Sequence, residues 1–535
     1  MALLNRAEQA ADGLSRPDDD RSPARPPARR LRVLLILGHP RPDSLSGALA
    51  AAYAEGARRA GVVIEELRVA ELRFEPDVTT PSISQQAVED DVRRAQELIA
   101  WADHLAFVYP TWWGTMPARL KGFLDRVLTP GFAFAEREDG RGWNPLLKGK
   151  SAELLTTMDT PRWVYRWIFK APGHHAMSRA TLGFCGVEVS RIASFGPVRD
   201  SSPERRRAWL ADARERGLGL ARGVFSPRQR ARRKLASWLR AVRLQFYPMT
   251  WLAYGLGALA AASLTGGFDP AAFWWGLACL FFLEVATVFS NEYVDHESDR
   301  RNRNFGPFNG GSRVLVDGRL SFREVRCGIA ASLVLAALCA GGLISATAAP
   351  PVAAAAVLLG MAVLALGYTV PPLKLCYRGL GELDVGITHS VGVILCGFVF
   401  QGGAWHSLLP WLLGLPLFLA VLPGIILAGI PDHDADRAVS KGTVAVRTGI
   451  QGAYLAAGAF TVLAAAAAVA LQQTAAFREA FAGIHYVVLP HAAALLLVLA
   501  RSMRENQGSA RIDGLMTVAL AYTVWFGAVP LIGLL

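Results

Sequence analysis

The pattern of apolar and polar residues changes character near Phe246. Before this residue, short apolar runs alternate with stretches of helical spacing, and Ser202 with Pro203 marks one helix start. Five runs predict buried strands: RVLLILGH, VIEELRV, HLAFVYP, SAELLTTMD and EVSRIASFG. Strands that alternate with helices are typical of a parallel sheet wrapped by helices, so this half is predicted to be an α/β domain.

After Phe246, long apolar runs dominate the chain. About nine are long enough to span a bilayer, and they centre near residues 256, 280, 335, 360, 395, 420, 461, 493 and 525. Backbone polar groups cannot stay unpaired in lipid, so runs of this length predict helices. This half is therefore predicted to be an all-α membrane bundle of about nine transmembrane helices.

The lysines and arginines of the membrane half favour one side. The loops after the odd-numbered runs hold almost none, with Arg478 as the exception. The loops after the even-numbered runs hold Arg300, Arg301, Arg303, Arg313, Lys374, Arg378, Arg437, Lys441, Arg447, Arg501, Arg504 and Arg511. The positive-inside rule predicts that these loops and the α/β domain are cytoplasmic, in a multi-pass protein of the plasma membrane.

Composition and charge define two shorter segments outside the two halves, a leader and a linker. The net charge is +12, and the basic residues gather beside apolar runs, which favours an anionic membrane surface over nucleic acid as a partner. Leu235 and Leu239 recur at helical spacing among arginines, which predicts a basic amphipathic helix on the membrane surface or, alternatively, a solvated linker helix. The predicted order is a disordered leader (1–30), the α/β domain (31–217), this linker (218–245) and the membrane domain (246–535).

Two predicted strand ends in the α/β domain carry unusual residues. After the first strand, Ser44 and Ser46 lie where a helix begins, and hydroxyls with free backbone N–H groups can hold a phosphate there. After the third strand, YPTWWGTM places two tryptophans and a glycine at a loop tip, which suits a flat ring. The alternatives are an ordinary βα turn and tryptophans that cover the sheet edge. Ligands of parallel sheets bind at this end of the strands.

Together, GHPRPDSLSGALA, YPTWWGTMPARLKGFLDRVLTPGFAF and the later FCG and FGPV resemble the flavodoxin-like NAD(P)H:quinone oxidoreductase family from about Leu31 to Gly217. The resemblance implies a flavodoxin-like doubly wound sheet, a bound FMN or FAD, and two-electron reduction of quinones by NAD(P)H. The implied flavin contacts are His39, Ser44 and Ser46 for phosphate, and Pro110, Thr111, Trp112, Trp113 and Gly114 for the ring.

The fourth predicted strand end departs from that family. TTMDTPRW stands where many members have a glycine pair, so the choice between FMN and FAD stays open. The residues expected to border the flavin here are Thr156, Thr157, Met158 and Asp159. Some members use a Tyr and a His to assist hydride transfer, and the candidates in this chain are Tyr165, His174 and His175.

Two acidic clusters end the second and sixth apolar runs. In NEYVDHESD, Asn291, Asp295 and Asp299 follow one another at i, i+4 and i+8, which predicts one shared helix face. In PDHDADRAVSKG, Asp432 and Asp436 repeat the i, i+4 spacing. Carboxylates so close repel each other unless a cation lies between them, and Mg²⁺ would in turn bind substrate phosphate. The alternative is a pair of solvated acidic loops.

NEYVDHESD, GYTVPPLKLCYRGLGEL and PDHDADRAVSKGTVAVRTG resemble the UbiA superfamily of intramembrane prenyltransferases from about Phe246 to Leu535. FNGGSRVLVDGRLS is similar to the branch that prenylates 1,4-dihydroxy-2-naphthoate. The resemblance implies that Asn291, Asp295 and Asp299 form one Mg²⁺ and diphosphate site, that Asp432 and Asp436 form a second, and that Tyr368 and Lys374 assist, Lys374 bonding the diphosphate. Charge alone adds Arg313, Arg378 and Lys441 as partners for phosphate or an acidic acceptor, although each is also an ordinary positive-inside position.

The combination predicts a bifunctional membrane enzyme. A quinone ring is electron-poor and cannot attack an allylic cation, whereas its hydroquinone can, so a reductase could prepare the acceptor for transfer from a prenyl diphosphate. The expected context is menaquinone-type biosynthesis. The alternatives are a prenyltransferase whose reductase serves another quinone, a terpene cyclase of the same superfamily, and a transporter with a flavodoxin-like module, because intramembrane acids also mark transport pathways.

Overall fold

The computed structural model describes residues 30–136, 142–505 and 511–535. All but the last residue of the predicted leader, 1–30, lies outside the described residues. The chain divides into two compact units, one ending at Gln229 and the other beginning at Arg230.

The first unit is built on a parallel sheet. Its strands are β1 (Arg32–Leu37), β2 (Val63–Arg68), β3 (His104–Pro110), β6 (Ser151–Thr157) and β7 (Glu188–Phe195), while β4 (Phe134–Glu136) and β5 (Trp143–Pro145) form a separate antiparallel pair. The sheet order is β2-β1-β3-β6-β7, which is that of flavodoxin-like doubly wound sheets. The predicted fold class of this half is therefore confirmed.

Helices cover both faces of this sheet. They are α1 (Leu45–Arg59), α2 (Asp90–Trp101), α3 (Ala118–Val127), the short α4 (Pro172–His175) and α5 (Pro203–Leu218). Alternate residues of β1 enter two different cores: Val33 and Leu35 pack with Leu49 of α1, and Leu34 and Ile36 face the other side. Burial on both faces explains why the strands are almost continuously apolar. The sheet thereby fixes the loops at its carboxyl edge.

Helix α6 (Pro227–Val242) contains the junction, and the second unit is helical in its described residues. Its helices are α7 (Tyr247–Thr265), α8 (Pro270–Val294), α9 (His296–Arg301), α10 (Phe322–Ala346), α11 (Pro351–Gly367), α12 (Gly381–Thr388), α13 (Val391–Phe400), α14 (Leu409–Ala438), α15 (Val444–Gln473), α16 (His485–Glu505) and α17 (Asp513–Gly533).

The nine apolar runs of the sequence each fall on a helix of this unit, with α12 and α13 sharing one run. In the described part of the chain, 7 segments are long and apolar enough to cross a membrane. Helix α7 is not among them, and α11 is shorter, at 17 residues. The helical bundle is confirmed, but the count of about nine spans is not.

Candidate functional site

At the carboxyl end of β1, a serine-rich turn begins helix α1. Ser44 is its N-cap, and the Ser44 side chain accepts a hydrogen bond from the first turn. Ser46 is 1% exposed, and its hydroxyl lies 3.1 Å from the Thr157 hydroxyl at the end of β6. His39 precedes them and accepts the Arg41 backbone N–H at Nδ1. The residues predicted to bind the flavin phosphate thus lie together at one edge of the sheet.

The loop after β3 is a tight turn. Trp112 and Thr115 exchange backbone hydrogen bonds of 2.8 and 3.0 Å. Between them, Trp113 and Gly114 both adopt positive φ, 49° and 78°. The side chain of Trp113 is fully exposed, so it does not cover the sheet edge. Trp112 meets the His39 ring edge-on at 5.7 Å, which joins this loop to the serine turn.

The end of β6 completes this edge. Pro110 pairs with Thr157 in the sheet, and the Thr111 backbone N–H donates to the Thr157 carbonyl over 2.7 Å. The Thr156 hydroxyl is buried and lies 3.2 Å from Nε2 of His174. Three strand ends therefore present hydroxyls, backbone N–H groups and an exposed indole side by side.

The structure gives different surroundings to the three Tyr and His candidates. Tyr165 is buried, and its hydroxyl donates to the Gly114 carbonyl over 3.0 Å, which supports the tryptophan turn. Its ring meets that of His174 edge-on at 4.9 Å. Burial, followed by the neighbouring charge of His175, lowers the pKa of His174 to about 4, so this imidazole is neutral at pH 7. His175 is exposed and makes none of these contacts.

A flavin fits this arrangement by its chemistry. The hydroxyls of Ser44 and Ser46 lie at the N-terminus of α1, which favours an anion. The exposed Trp113 side chain offers a flat apolar surface beside them. Phosphate and ring surfaces are thus adjacent, as an FMN or FAD requires.

In the second unit, Asn291, Asp295 and Asp299 form the first of two acidic ladders. This ladder crosses a break between two helices. Helix α8 ends at Val294, Asp295 has φ −87° and ψ 7°, and α9 begins at His296. The backbone N–H groups of Asp295 and Asp299 still bond the residues four before them, at 2.8 and 2.9 Å. The single uninterrupted helix that the spacing predicted is therefore broken, but the i, i+4 stacking is kept. Asp295 and Asp299 are buried.

Asp432 and Asp436 form the second ladder. The ammonium group of Lys441 bridges the two ladders. Nζ of Lys441 lies 2.8 Å from Oδ2 of Asp295 and 3.5 Å from Oδ1 of Asp436. Only 11% of the Lys441 side chain is exposed. Burial alone would lower the pKa of Lys441, but the charges of Asp295 and Asp436 raise it well above its usual value. The ammonium therefore stays charged and offsets the repulsion between the carboxylates.

Asp432 is held by the loop that follows α9. Its Oδ1 accepts hydrogen bonds from the side-chain amides of Asn302 at 2.5 Å and Asn309 at 2.9 Å. The Gly310 backbone N–H donates to Oδ2 over 3.3 Å. Asp436, one turn further on, accepts from the Ser298 hydroxyl at 2.9 Å. The second ladder is thus fixed by neutral donors from the segment that carries the first.

Glu292 and Arg313 shape the same loop. Glu292 accepts from the Ser312 N–H at 2.8 Å. Arg313 has φ 61°, donates to the Asp299 carbonyl over 2.6 Å and lies over the Phe305 ring. Burial and the charges of Glu292 and Asp295 raise the pKa of the Asp299 carboxyl well above its usual value.

The predicted Tyr and Lys motif lies in the loop before α12. The Lys374 ammonium sits 4.9 Å from the centre of the Tyr377 ring, and the Tyr377 hydroxyl donates to Asp295 over 2.9 Å. Tyr368 is partly buried and lies within electrostatic range of Lys441 and Asp295. Arg378 instead donates to the Pro372 carbonyl in its own loop. The structure therefore gathers Lys374 and Tyr368 near the ladders and turns the Arg378 side chain toward Pro372.

We call the two ladders, Lys441 and the loops that contact them the mouth of the site. Its donor atoms fit Mg²⁺. All candidate ligands carry oxygen, which Mg²⁺ prefers. The side-chain oxygen of Asn291 is buried and has no hydrogen-bond partner among the described residues. Among the described residues, no three acidic, His or Cys side chains form a ready-made metal cluster, and the Lys441 ammonium lies between the ladders.

Several residues that contact the ladder carboxylates were not predicted from the sequence. Tyr377 and Ser298 bond ladder carboxylates directly, as do Asn302 and Asn309. The motif FNGGSRVLVDGRLS, which contains Asn309, was the available signal, but it says nothing about which carboxylate it contacts. Tyr377 follows the Tyr and Lys motif by only three residues and could have been included on proximity.

Comparison with known proteins matches both units. A family profile for UbiA prenyltransferases matches residues 250–528, and one for the flavodoxin-like fold matches residues 31–216. The mouse ribosyldihydronicotinamide dehydrogenase [quinone] is 31% identical over 212 residues, which is 35% of this chain and 90% of that protein.

Two solved structures are also similar. An NAD(P)H:quinone oxidoreductase from Methanothermobacter marburgensis is 27% identical, covers 36% of this chain and 97% of its own, and has a TM-score of 0.32. A UbiA homolog from Archaeoglobus fulgidus, bound to GPP and Mg²⁺, is 15% identical, covers 56% of this chain and 99% of its own, and has a TM-score of 0.42.

These matches define an integral membrane enzyme in which a prenyltransferase is fused to a quinone oxidoreductase. The chain belongs to the UbiA prenyltransferase family and carries a flavodoxin-like NAD(P)H quinone oxidoreductase domain before its membrane bundle.

Proposed function

We propose that this protein reduces a quinone with NAD(P)H and a bound FMN or FAD, and transfers a prenyl group from a prenyl diphosphate to the resulting aromatic quinol in a Mg²⁺-dependent reaction. The acceptor is a naphthoquinol-like ring, as in menaquinone-type biosynthesis. The observation that carries the proposal is the pair of acidic ladders bridged by Lys441, in a chain that also holds a quinone oxidoreductase domain.

The residues of the mouth divide the work of prenyl transfer. Asn291 and the four ladder aspartates hold Mg²⁺, which supplies the positive charge that a departing diphosphate needs. Lys441 and Lys374 place their ammonium groups beside the ladders, where they bind phosphate oxygens. Tyr377 orients Asp295 through its hydroxyl, and Tyr368 lies within electrostatic range of the same carboxylate. The apolar bundle below excludes water from the allylic cation.

The residues of the sheet edge divide the work of quinone reduction. Ser44, Ser46 and His39 bind the flavin phosphate, and the loop from Pro110 to Gly114 bears the ring, which supplies two-electron chemistry when bound. Thr156 and the neutral His174 border the ring. Tyr165 holds the tryptophan turn in place through Gly114.

The membrane arrangement follows from charge. We place the even-numbered loops, the mouth and the flavodoxin-like domain on the cytoplasmic side of the plasma membrane. The domain limits 31–217 and 246–535 remain predictions, as does the surface-lying role of the linker 218–245.

The test is the dependence of prenylation on NAD(P)H. The full chain, kept anaerobic in lipid nanodiscs with Mg²⁺ and geranyl diphosphate, receives an oxidised naphthoquinone or its chemically reduced quinol. We expect prenylated product, measured by mass spectrometry, from the oxidised acceptor only with NAD(P)H, and from the quinol without it. Equal product from the oxidised acceptor in both arms would show that the reductase serves another quinone.

Two variants separate the activities. Asp295→Asn and Asp432→Asn should each abolish prenyl transfer, because they remove a ladder charge, while NAD(P)H oxidation continues in the other unit. Normal prenylation by either variant would contradict the assignment of the ladders to Mg²⁺ and diphosphate.

A further inference from the structure

Glu284 and His389 are two of the ionisable side chains that lie within membrane-crossing segments, away from the acidic ladders. Glu284 belongs to α8, and His389 directly follows α12. Nε2 of His389 lies 3.9 Å from Oε1 of Glu284. Ionisable groups are costly in such segments, and where they occur they usually serve binding or catalysis. The diphosphate mouth does not use either residue.

Helix geometry places this pair beneath the mouth. Glu284 precedes Asn291 by seven residues on α8, so the two share a helix face and are separated by about 10 Å along the axis. His389 lies at the far end of α12 from the loop of Tyr377, whose hydroxyl bonds Asp295. Two elements thus lead inward from the mouth to the same pair.

Both side chains of the pair are mostly buried. Nevertheless, 14% of the Glu284 side chain and 32% of the His389 side chain remain accessible. The Tyr247 hydroxyl, within electrostatic range of Glu284, is buried without a hydrogen-bond partner in the described residues. A ligand that enters this part of the bundle would therefore meet several polar groups.

The hydrogen bonds of His389 define what it offers. Its Nδ1 lies 3.1 Å from the Val385 carbonyl, an oxygen that can only accept, so Nδ1 carries the proton in this contact. Nε2 is then left as an acceptor facing Glu284 in the neutral ring. The 3.9 Å separation exceeds a direct hydrogen bond. A ligand hydroxyl in this gap can donate its one proton to either side chain.

We propose that Glu284 and His389 form the subsite that binds a ring hydroxyl of the aromatic acceptor. This inference rests on the proposed prenyl transfer and names its acceptor contacts. The hydroxyl donates to Glu284 or to Nε2 of His389. The ring then lies between this pair and the diphosphate end of the donor, about two helical turns away.

The test compares a naphthoquinol with its dimethyl ether, using the full chain in nanodiscs with Mg²⁺ and geranyl diphosphate. Glu284→Gln, His389→Asn and the double variant are assayed for the KM of donor and acceptor. We expect the double variant to raise the acceptor KM about 10- to 100-fold, the range of a hydrogen bond to a charged group. The donor KM should change by less than about twofold. Because the hydroxyl can donate to either side chain, each single variant should raise the acceptor KM by less than the double variant does.

Controls separate this role from a structural one. Thr287→Val, on the same helix, removes a hydroxyl that already bonds the Leu283 carbonyl, and its acceptor KM should stay near that of the wild type. The wild type should prefer the quinol to the ether, and the double variant should lose that preference. Equal loss for donor and acceptor, or an unchanged preference, would overturn the subsite. A wild type that prenylates neither compound would instead refute the proposed prenyl transfer.

Discussion

Replacing Lys441 with methionine should make the membrane unit depend on a divalent cation. Lys441 bridges Asp295 and Asp436 at 2.8 and 3.5 Å. At an effective dielectric constant of about 20, the shorter contact corresponds to roughly 6 kcal/mol of attraction before desolvation. Removing one partner of such a buried pair typically costs about 3–5 kcal/mol. Protonation of a carboxylate limits the loss, so we expect the lower part of this range for Lys441→Met.

The assay is thermal unfolding of the full chain in detergent, with EDTA or with Mg²⁺. A loss of about 3 kcal/mol corresponds to a fall of about 6–12 °C in the midpoint of the membrane unit. Mg²⁺ at about 100 times its dissociation constant raises the free energy of unfolding by about 2.7 kcal/mol, because it binds the ladders only in the folded state. We therefore expect Mg²⁺ to recover most of the lost stability in the variant and less in the wild type, where the ammonium competes.

Arg437→Met is the matched control, because it removes a cation from the exposed end of α14. Exposed charges contribute about 0–1 kcal/mol, so this variant should unfold almost as the wild type does. If Lys441→Met behaved like Arg437→Met, or lost stability that Mg²⁺ did not restore, the view of Lys441 as a cation that substitutes for metal between the ladders would be wrong.

Three further predictions concern the other parts of the chain. Trp113→Ala combined with Ser44→Ala should abolish flavin absorbance, whereas Trp143→Ala, outside the sheet-edge loops, should keep it. A nitroxide at Leu239, which is 54% exposed on α6, should be more accessible to oxygen than to a water-soluble nickel complex in nanodiscs, and a label at Arg232 should show the reverse. Burial, then the charge of Arg191, lowers the pKa of His104 to about 3, so its folded pKa lies below the unfolded value and stability should fall as the pH drops below about 6.5. The loss should reach about 2 kcal/mol between pH 7 and 5 in denaturant unfolding, and His104→Gln should remove it.

The α/β fold was predictable because its strands are buried on both faces and therefore read as plain apolar runs. Leu34 and Val33 enter opposite cores, yet both must be apolar. The short pair β4 and β5 was not predicted, since three residues show too little alternation for a strand signal. In the membrane unit, length and hydropathy locate the helices well but decide less firmly which of them cross the bilayer, as α7 and α11 illustrate.

The mouth was predictable only in part. The i, i+4 spacing of the aspartates is a local property, and it survives the break at Asp295 because the backbone bonds continue across it. The contacts of Asn309 with Asp432 and of Lys441 with Asp295 join residues more than a hundred positions apart. Such pairings are set by how helices pack, and charge in a sequence does not reveal them. Lys441 was named as a cation, but its place between the ladders was not.

Under the proposed function, the fusion of the two activities has a physical reason in the chemistry of the acceptor. A hydroquinone is the form that attacks an allylic cation, and oxygen converts it back to the unreactive quinone. A reductase on the same chain raises the local concentration of its product near the transferase without any new contact, because the linker limits how far the two can separate. The gain needs no channel and falls as the linker lengthens. We therefore expect the benefit to be largest when the enzyme is dilute and oxygen is present, where a freely diffusing quinol would be lost before it reached the mouth.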